Sequence, residues 1–209
     1  MRIVGITGRI GSGKSAVSRW LAAYGVFAID SDELVQVLYD GDEVLQAQLR
    51  VRFGRQVMSS GPVDKVALGV AVFSDPQALA DLEAMVHPAV KRLRDQQLEE
   101  ARRRGVSVCV VEAIKLVESG GARDCDELWI VVAEESVQLE RLGGRGMTET
   151  DARRRLTAQG TVATWSEQFL SESARLGRYR PIVIFDNSGT EDAGKAQVRR
   201  LWEGVGVSP

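Results

Sequence analysis

Apolar residues are grouped in two distinct ways along the chain. Arg2 to Thr7 (with Ile3, Val4 and Ile6), Val26 to Ile29, Val106 to Val111, Leu128 to Val132 and Ile182 to Phe185 are short apolar runs rich in β-branched residues. That is the pattern of strands covered on both faces. Elsewhere the apolar positions recur at helical spacing. Lys14 to Tyr24 carries Val17, Trp20, Leu21 and Tyr24, and Gly25 ends it. The first thirty residues therefore read as strand, glycine-rich loop, helix, strand. This βαβ unit implies a parallel sheet with a right-handed crossover.

Residues 31–104 contain no further strand run and predict mostly helix. Ser31, Asp32 and Glu33 make a good helix start, and Glu43 to Phe53 is amphipathic, ending at Gly54. Ser59-Ser60-Gly61-Pro62 predicts a turn, and Ser74-Asp75-Pro76 opens another helix with Pro76 at its first position. His87-Pro88 predicts a break, followed by a charged helix from Ala89 to Arg104. Between the last two strands lie Ser136 to Leu142, an arginine-rich turn and two or three polar helices. A final helix from Thr190 to Trp202 precedes a loose tail from Gly204 onward. Five such strands with intervening helices predict an α/β fold, a parallel sheet flanked by helices. The stretch 31–104 is too long for an ordinary crossover, so it predicts an inserted helical cap. The division is a single domain with a core of 1–30, 105–140 and 180–204, the insertion 31–104, and a lid region 141–179.

Composition narrows the chemistry. The chain has 209 residues, 44% hydrophobic and 27% charged, with 27 Lys plus Arg against 29 Asp plus Glu. A net charge of −2 lacks the basic excess of proteins that coat nucleic acid or anionic membrane. Cys109, Cys125 and the single histidine, His87, are too few for a Cys/His four-ligand zinc site or a disulfide framework. Chemistry needing two histidines is excluded. The apolar run at the N-terminus is too short for a signal peptide and no stretch suits a membrane span. With two free cysteines, this predicts a cytoplasmic protein. The arginines of 102–104 and 153–155 have acids close by and read as solvated helix faces. Cys109 and Trp129 read as core; Trp20, Trp165 and Trp202 read as packing residues.

Gly8-Arg9-Ile10-Gly11-Ser12-Gly13-Lys14-Ser15 fits G-x-x-x-x-G-K-[ST], between a predicted strand and helix. Gly8, Gly11, Ser12 and Gly13 let backbone N–H groups turn onto phosphate oxygens, and Ser15 and Ala16 open the helix whose positive end faces them. Lys14 would reach the β- and γ-phosphates of ATP, and the Ser15 hydroxyl suits a Mg²⁺ ligand. No N-K-x-D guanine motif occurs, which weighs against a GTPase. The inserted helices and arginine-rich lid favour a small-molecule kinase, in which transfer needs positioning, charge neutralisation and exclusion of water. Asp30-Ser31-Asp32 follows the second strand on the edge where α/β sheets bind ligands. A carboxylate there suits a general base, and equally suits a helix cap.

The ordered series ITGRIGSGKS, the D-x-D of IDSDELV, FG at 53–54, VFSDP at 72–76, HP at 87–88, QLERLGGR at 138–145 and DNSG at 186–189 resembles the dephospho-coenzyme A kinase family. It spans roughly residues 1–160 and 181–202. The resemblance implies ATP-dependent phosphorylation of the ribose 3′-hydroxyl of dephospho-CoA, the last step of coenzyme A synthesis, on a P-loop NTPase fold whose insertion binds CoA. It implies Asp32 as general base, Arg141 and Arg145 as clamps on the transferring phosphoryl group, and Asn187 and Gly189 bordering the adenine of ATP. His87 is implied either as a substrate contact or as a structural helix-end residue. Lys91 stands where the family commonly has Arg, which keeps charge but loses the bidentate fork. Where the family shows Asp-x-Pro-Leu-Leu-x-Glu, this chain has Glu112-Ala113-Ile114-Lys115-Leu116-Val117-Glu118. Glu112 would support Mg²⁺ through water; Lys115 would hold a substrate phosphate or extend into solvent. The expected partners are ATP and dephospho-CoA, with no nucleic acid or membrane, and a monomer is favoured. The altered 112–118 segment keeps a second reading open, a related P-loop small-molecule or nucleoside monophosphate kinase with another acceptor. A non-catalytic nucleotide-binding module is the third.

Overall fold

The computed structural model describes residues 1–58, 61–73 and 75–204. From the N-terminus, strand β1 (Arg2–Thr7) leads to helix α1 (Lys14–Ala22) and strand β2 (Phe27–Asp30). Four helices follow: α2 (Ser31–Gly41), α3 (Glu43–Phe53), α4 (Lys65–Phe73) and α5 (Pro76–Arg103). Strands β3 (Val108–Glu112) and β4 (Glu127–Val132) precede α6 (Glu135–Gly143), α7 (Glu149–Thr157) and α8 (Val162–Arg175). Strand β5 (Ile182–Asp186) and helix α9 (Glu191–Gly204) complete the described chain.

All five strands are parallel, in the order β2-β3-β1-β4-β5. The most apolar strands lie inside: every residue of β3, and all of β1 beyond Arg2, is buried. The edge strand β5 carries an exposed Ile184. Register aligns the C-terminal ends, placing Ile6 of β1 and Asp30 of β2 on either side of Glu112. The loops after β1, β2 and β3 therefore emerge on one edge of the sheet, where this class of fold gathers its chemistry. On one face, Val4, Ile6, Val110, Trp129, Val131 and Phe185 pack with Val17 and Leu21 of α1 and Val198 and Trp202 of α9.

The chain divides into two compact units. One comprises Met1–Asp30 and the residues from Glu100 onward; the other is Ser31–Glu99. The second unit has its own core, in which Leu38, Leu45, Leu49, Phe53, Val57 and Leu68 meet Val86 and Ala89 of α5.

The five strands and nearly every helix lie where the hydrophobic pattern puts them, with local corrections. Helix α5 runs unbroken through His87-Pro88. Pro88 and Ala84, whose carbonyl loses its partner, are both exposed, so water replaces the missing bond, while buried Val86 and Ala89 hold the helix to the core. Strand β3 starts at Val108 rather than Val106, because the Val106 N–H bonds to the Ala101 carbonyl at 3.0 Å and Gly105 has φ +73°. That is a left-handed helix closure, and it uses up the first residues of the apolar run. Helix α1 stops at Ala22 for a related reason: Tyr24 and Gly25 close the last turn with tighter bonds to Leu21 and Ala22. Helix α4 is an element the pattern did not predict. Of the predicted turn at 59–62, Ser59 and Ser60 lie outside the described residues, as do Ser74 of the predicted Ser74-Asp75-Pro76 helix start and the residues beyond Gly204. Asp75 caps α5, accepting from the N–H groups of Gln77 and Ala78 at 2.9 and 3.1 Å.

One buried cation organises the far side of the first unit. Arg180 is 1% exposed. Its guanidinium donates to the carbonyls of Ala122, Arg123 and Cys125 at 3.0, 3.0 and 3.2 Å, to Phe169 at 3.3 Å and to the Ser173 hydroxyl at 2.8 Å. It also stacks 4.1 Å from the Phe169 ring centre. At contact distance its charge is met by carbonyl dipoles and a ring face, with the Glu172 and Asp126 carboxylates acting from further off.

Candidate active site

The glycine-rich segment joins β1 to α1, as its motif requires. Gly13 caps the helix at φ +92°, and a Cβ there would fall 2.1 Å from the Asn187 side-chain nitrogen. Glycine is needed twice over, for the left-handed backbone and for the space. Lys14 is buried, its Nζ 3.4 Å from the Arg9 carbonyl. The Ser12 hydroxyl is fully buried and has no hydrogen-bond partner among the described residues.

Behind the loop lies Glu112, the last residue of β3, buried at 4% exposure. Ser15 donates to one of its carboxylate oxygens at 2.7 Å and Ser18 to the other at 2.6 Å. Burial pushes Glu112 above the ordinary glutamate range; the bonds from Ser18 and Ser15 pull it partly back, while nearby Asp30 raises it and Lys14 lowers it. A carboxylate held by two donors fixes the Ser15 hydroxyl in one orientation. These oxygens are hard donors of the kind Mg²⁺ prefers. Among the described residues no group of three or more His, Cys, Asp or Glu side chains is placed to hold a metal. The donor set thus fits an ion that completes its shell with phosphate and water rather than an all-protein cage.

Two further residues brace the loop from the other side. Arg141, near the end of α6, donates from Nη1 to the Gly11 and Ser12 carbonyls at 3.3 and 3.2 Å, and from Nη2 to the Asn187 carbonyl at 2.8 Å. Asn187 is buried and returns a bond from its side-chain amide to the Ser12 carbonyl at 2.9 Å. Asp186 shapes the next turn by accepting from the Ser188 N–H and hydroxyl at 2.9 and 2.6 Å. Those bonds hold its carboxyl below the ordinary aspartate range.

The structure thus brings Lys14, Ser15, Glu112, Arg141 and Asn187 together around Gly8–Gly13. It leaves Arg145 exposed in the turn after α6, Gly189 exposed after β5, and Lys115 exposed after β3. Asp32, His87 and Lys91 belong to the helical unit. Asp32 is exposed in the first turn of α2; half-buried His87 and exposed Lys91 lie one turn apart on α5, with Lys91 paired to Asp95. Arg141 is a loop brace in this arrangement, with its guanidinium committed to backbone carbonyls. The arginines at 103, 104, 153 and 154 are paired with Glu100, Glu135, Glu149 and Asp151 as solvated helix faces.

Sequence reasoning missed Ser18 and Gln159. Ser18 lies three positions after Ser15 on the buried side of α1, beside Val17 and Leu21. A buried serine on the stripe that also carries the motif serine is a readable signal. Gln159 accepts from the Ile10 N–H at 2.8 Å, a contact across the chain that no local pattern announces.

Comparison with known proteins identifies the family. The family model described as dephospho-CoA kinase, CoaE, matches residues 2–169. A dephospho-CoA kinase of Symbiobacterium thermophilum is 40% identical over 97% of this chain and 80% of its own. One of Geobacter sulfurreducens is 34% identical over 97% of this chain and 98% of its own. A crystal structure from Thermus thermophilus, 31% identical and covering 97% of both chains, superposes with a TM-score of 0.72. The chain belongs to the dephospho-CoA kinase family.

Proposed function

We propose that this protein transfers the γ-phosphoryl group of ATP to the ribose 3′-hydroxyl of dephospho-CoA, giving coenzyme A and ADP. One observation carries the reading beyond family membership. Lys14, Ser15 and Glu112 are assembled at the strand ends around the glycine-rich loop that opens α1. The loop and the N-terminus of α1 bind the triphosphate. Lys14 exchanges its backbone carbonyl for phosphate oxygens and neutralises charge as it moves to the leaving group. Ser15, oriented by Glu112, would be the protein ligand for Mg²⁺, with Glu112 acting through water. When bound, that ion would supply charge stabilisation to the phosphates.

The acceptor side draws on the helical unit. Asp32, two residues beyond the end of β2, accepts the proton of the attacking 3′-hydroxyl. His87 and Lys91, on one face of α5, contact the CoA portion, and Lys115 takes a substrate phosphate. Arg145, exposed in the turn after α6, supplies positive charge to the transferring group from the lid, residues 141–179, while Gly189 borders the adenine. The insertion, residues 31–104, is the CoA-binding part. No helix among the described residues is long and apolar enough to cross a membrane; we place the protein in the cytoplasm as a monomer acting on small molecules.

Asp32→Asn tests the assignment of the base. It keeps size and helix capping but removes basicity, so kcat should fall by roughly 100-fold or more, while ATP affinity by calorimetry stays within a factor of about two. A near-wild-type kcat would reduce Asp32 to a helix cap.

A further inference from the structure

The segment between α7 and α8 reaches the phosphate loop at two points. Gln159 Oε1 accepts from the Ile10 N–H at 2.8 Å, and the Gly160 carbonyl accepts from Arg9 Nε at 3.1 Å. The Ile10 N–H and the Arg9 carbonyl belong to the same peptide unit. That carbonyl accepts the Ser12 N–H at 3.1 Å and faces Lys14 Nζ at 3.4 Å. A peptide unit is planar, so a partner that fixes its N–H also fixes the carbonyl opposite. Gln159 therefore sets the plane of the peptide that parks the phosphate-loop lysine.

The segment is itself held in place. A Cβ on Gly160 would lie 2.5 Å from Trp165 Nε1 and 3.0 Å from Glu118 Oε1. Trp165 donates to Glu118 at 2.7 Å. Glu118, the surviving acidic end of the altered segment after β3, thus fixes Trp165, and Trp165 fixes the backbone of Gly160.

We infer that Gln159 is a positioning residue for nucleotide binding, holding the Arg9–Ile10 peptide so that the loop is already shaped when the triphosphate arrives. Gly160, backed by Trp165 and Glu118, is the second point of the same latch. The inference rests on the reading of this loop as the ATP site. Without the Gln159 acceptor the peptide rotates, and the nucleotide must order the loop as it binds. Affinity for ATP falls for that reason, whereas transfer in the saturated enzyme, where the phosphates order the loop, is little changed.

Gln159→Met keeps the side-chain length and removes the acceptor; Gln159→Ala serves if the first variant fails to fold; Gln159→Glu keeps an acceptor. NMR-detected exchange of the Ile10 amide without nucleotide should quicken about tenfold in Gln159→Met and stay slow in Gln159→Glu. The dissociation constant for Mg-ATP by calorimetry should rise about fivefold in Gln159→Met, the weight of one neutral hydrogen bond. Its kcat should match the wild type, and its melting temperature should fall by no more than about 2–4 °C, the loss of one hydrogen bond. A folded Gln159→Met or Gln159→Ala with wild-type Ile10 exchange, or with wild-type ATP affinity, overturns the inference. A wild-type protein that binds no Mg-ATP overturns the ATP-site reading and the inference with it.

Discussion

Arg141 offers the sharpest separation of structural from catalytic charge. Arg141→Ala removes three hydrogen bonds from one guanidinium: one at 2.8 Å, and two at 3.2 and 3.3 Å that share Nη1. The two long bonds count as about one, which leaves two effective charge-assisted bonds at roughly 1.5–3 kcal/mol each. The side chain is only half-buried, and water can return to the freed carbonyls of Gly11, Ser12 and Asn187. A net loss of about 2–3 kcal/mol follows. For a chain of this size that is a fall in Tm of roughly 5–10 °C. The same bonds order the loop, so KM for ATP should rise by about tenfold. Arg141→Lys should recover at most half of both effects, since an ammonium cannot span three acceptors in a plane. Arg145→Ala is the control: it breaks no bond described above, so it should lower kcat and leave Tm alone. Differential scanning fluorimetry and a coupled ADP-release assay measure both quantities. An unchanged Tm in Arg141→Ala with kcat alone reduced would refute the brace and restore Arg141 as a phosphoryl clamp.

Three other outcomes are expected together. Arg180→Ala removes the side-chain donor from the carbonyls of Arg123 and Cys125, while Ala122 and Phe169 keep bonds from the Cys125 N–H and the Ser173 hydroxyl, so chemical denaturation should show a loss of about 2–4 kcal/mol; a loss under about 1 kcal/mol would show that water satisfies the freed groups. Burial pushes the Cys109 thiol up to about 12, with Arg102 opposing, so the native protein should resist alkylation at Cys109 at pH 8 and react once unfolded; rapid native labelling there would contradict the burial. Because this thiol titrates higher in the folded state than in the unfolded one, its contribution to stability is present below the ordinary thiol value of 9.0 and is lost as pH rises towards 12. A Cys109→Ala protein should therefore lose less stability than the wild type between those two limits.

Much of this molecule is legible locally. The sheet was readable because parallel strands covered on both faces are continuous apolar runs, and β1, β3 and β4 are of that kind. The phosphate loop was readable because its glycines, Lys14 and Ser15 perform a backbone function that few sequences substitute. Glu112 could be placed at the end of its strand, but not its bonds to Ser15 and Ser18, which depend on the register of β3 against β1. Helix α4 escaped because Val66 and Val70 are exposed, leaving KVALGVAVF without an amphipathic period. Pro88 misled because proline's local cost is smaller here than the packing of Val86 and Ala89. Arg180 and Gln159 were invisible for a third reason: each works through backbone carbonyls or amides remote in sequence, and such partners leave no compositional trace. Arg141 was found by resemblance, but its bonds to the loop are a property of the fold.

The central claim is phosphoryl transfer from ATP to the ribose of dephospho-CoA. The direct measurement is to incubate the protein with Mg-ATP and dephospho-CoA and follow the products by ³¹P NMR, with AMP and dCMP as parallel acceptors. The account predicts a new 3′-phosphate monoester on the CoA product, formed in equal amount to ADP, with the nucleotide acceptors left unmodified. Transfer to AMP or dCMP with dephospho-CoA untouched, or ATP binding without transfer to any acceptor, would contradict it.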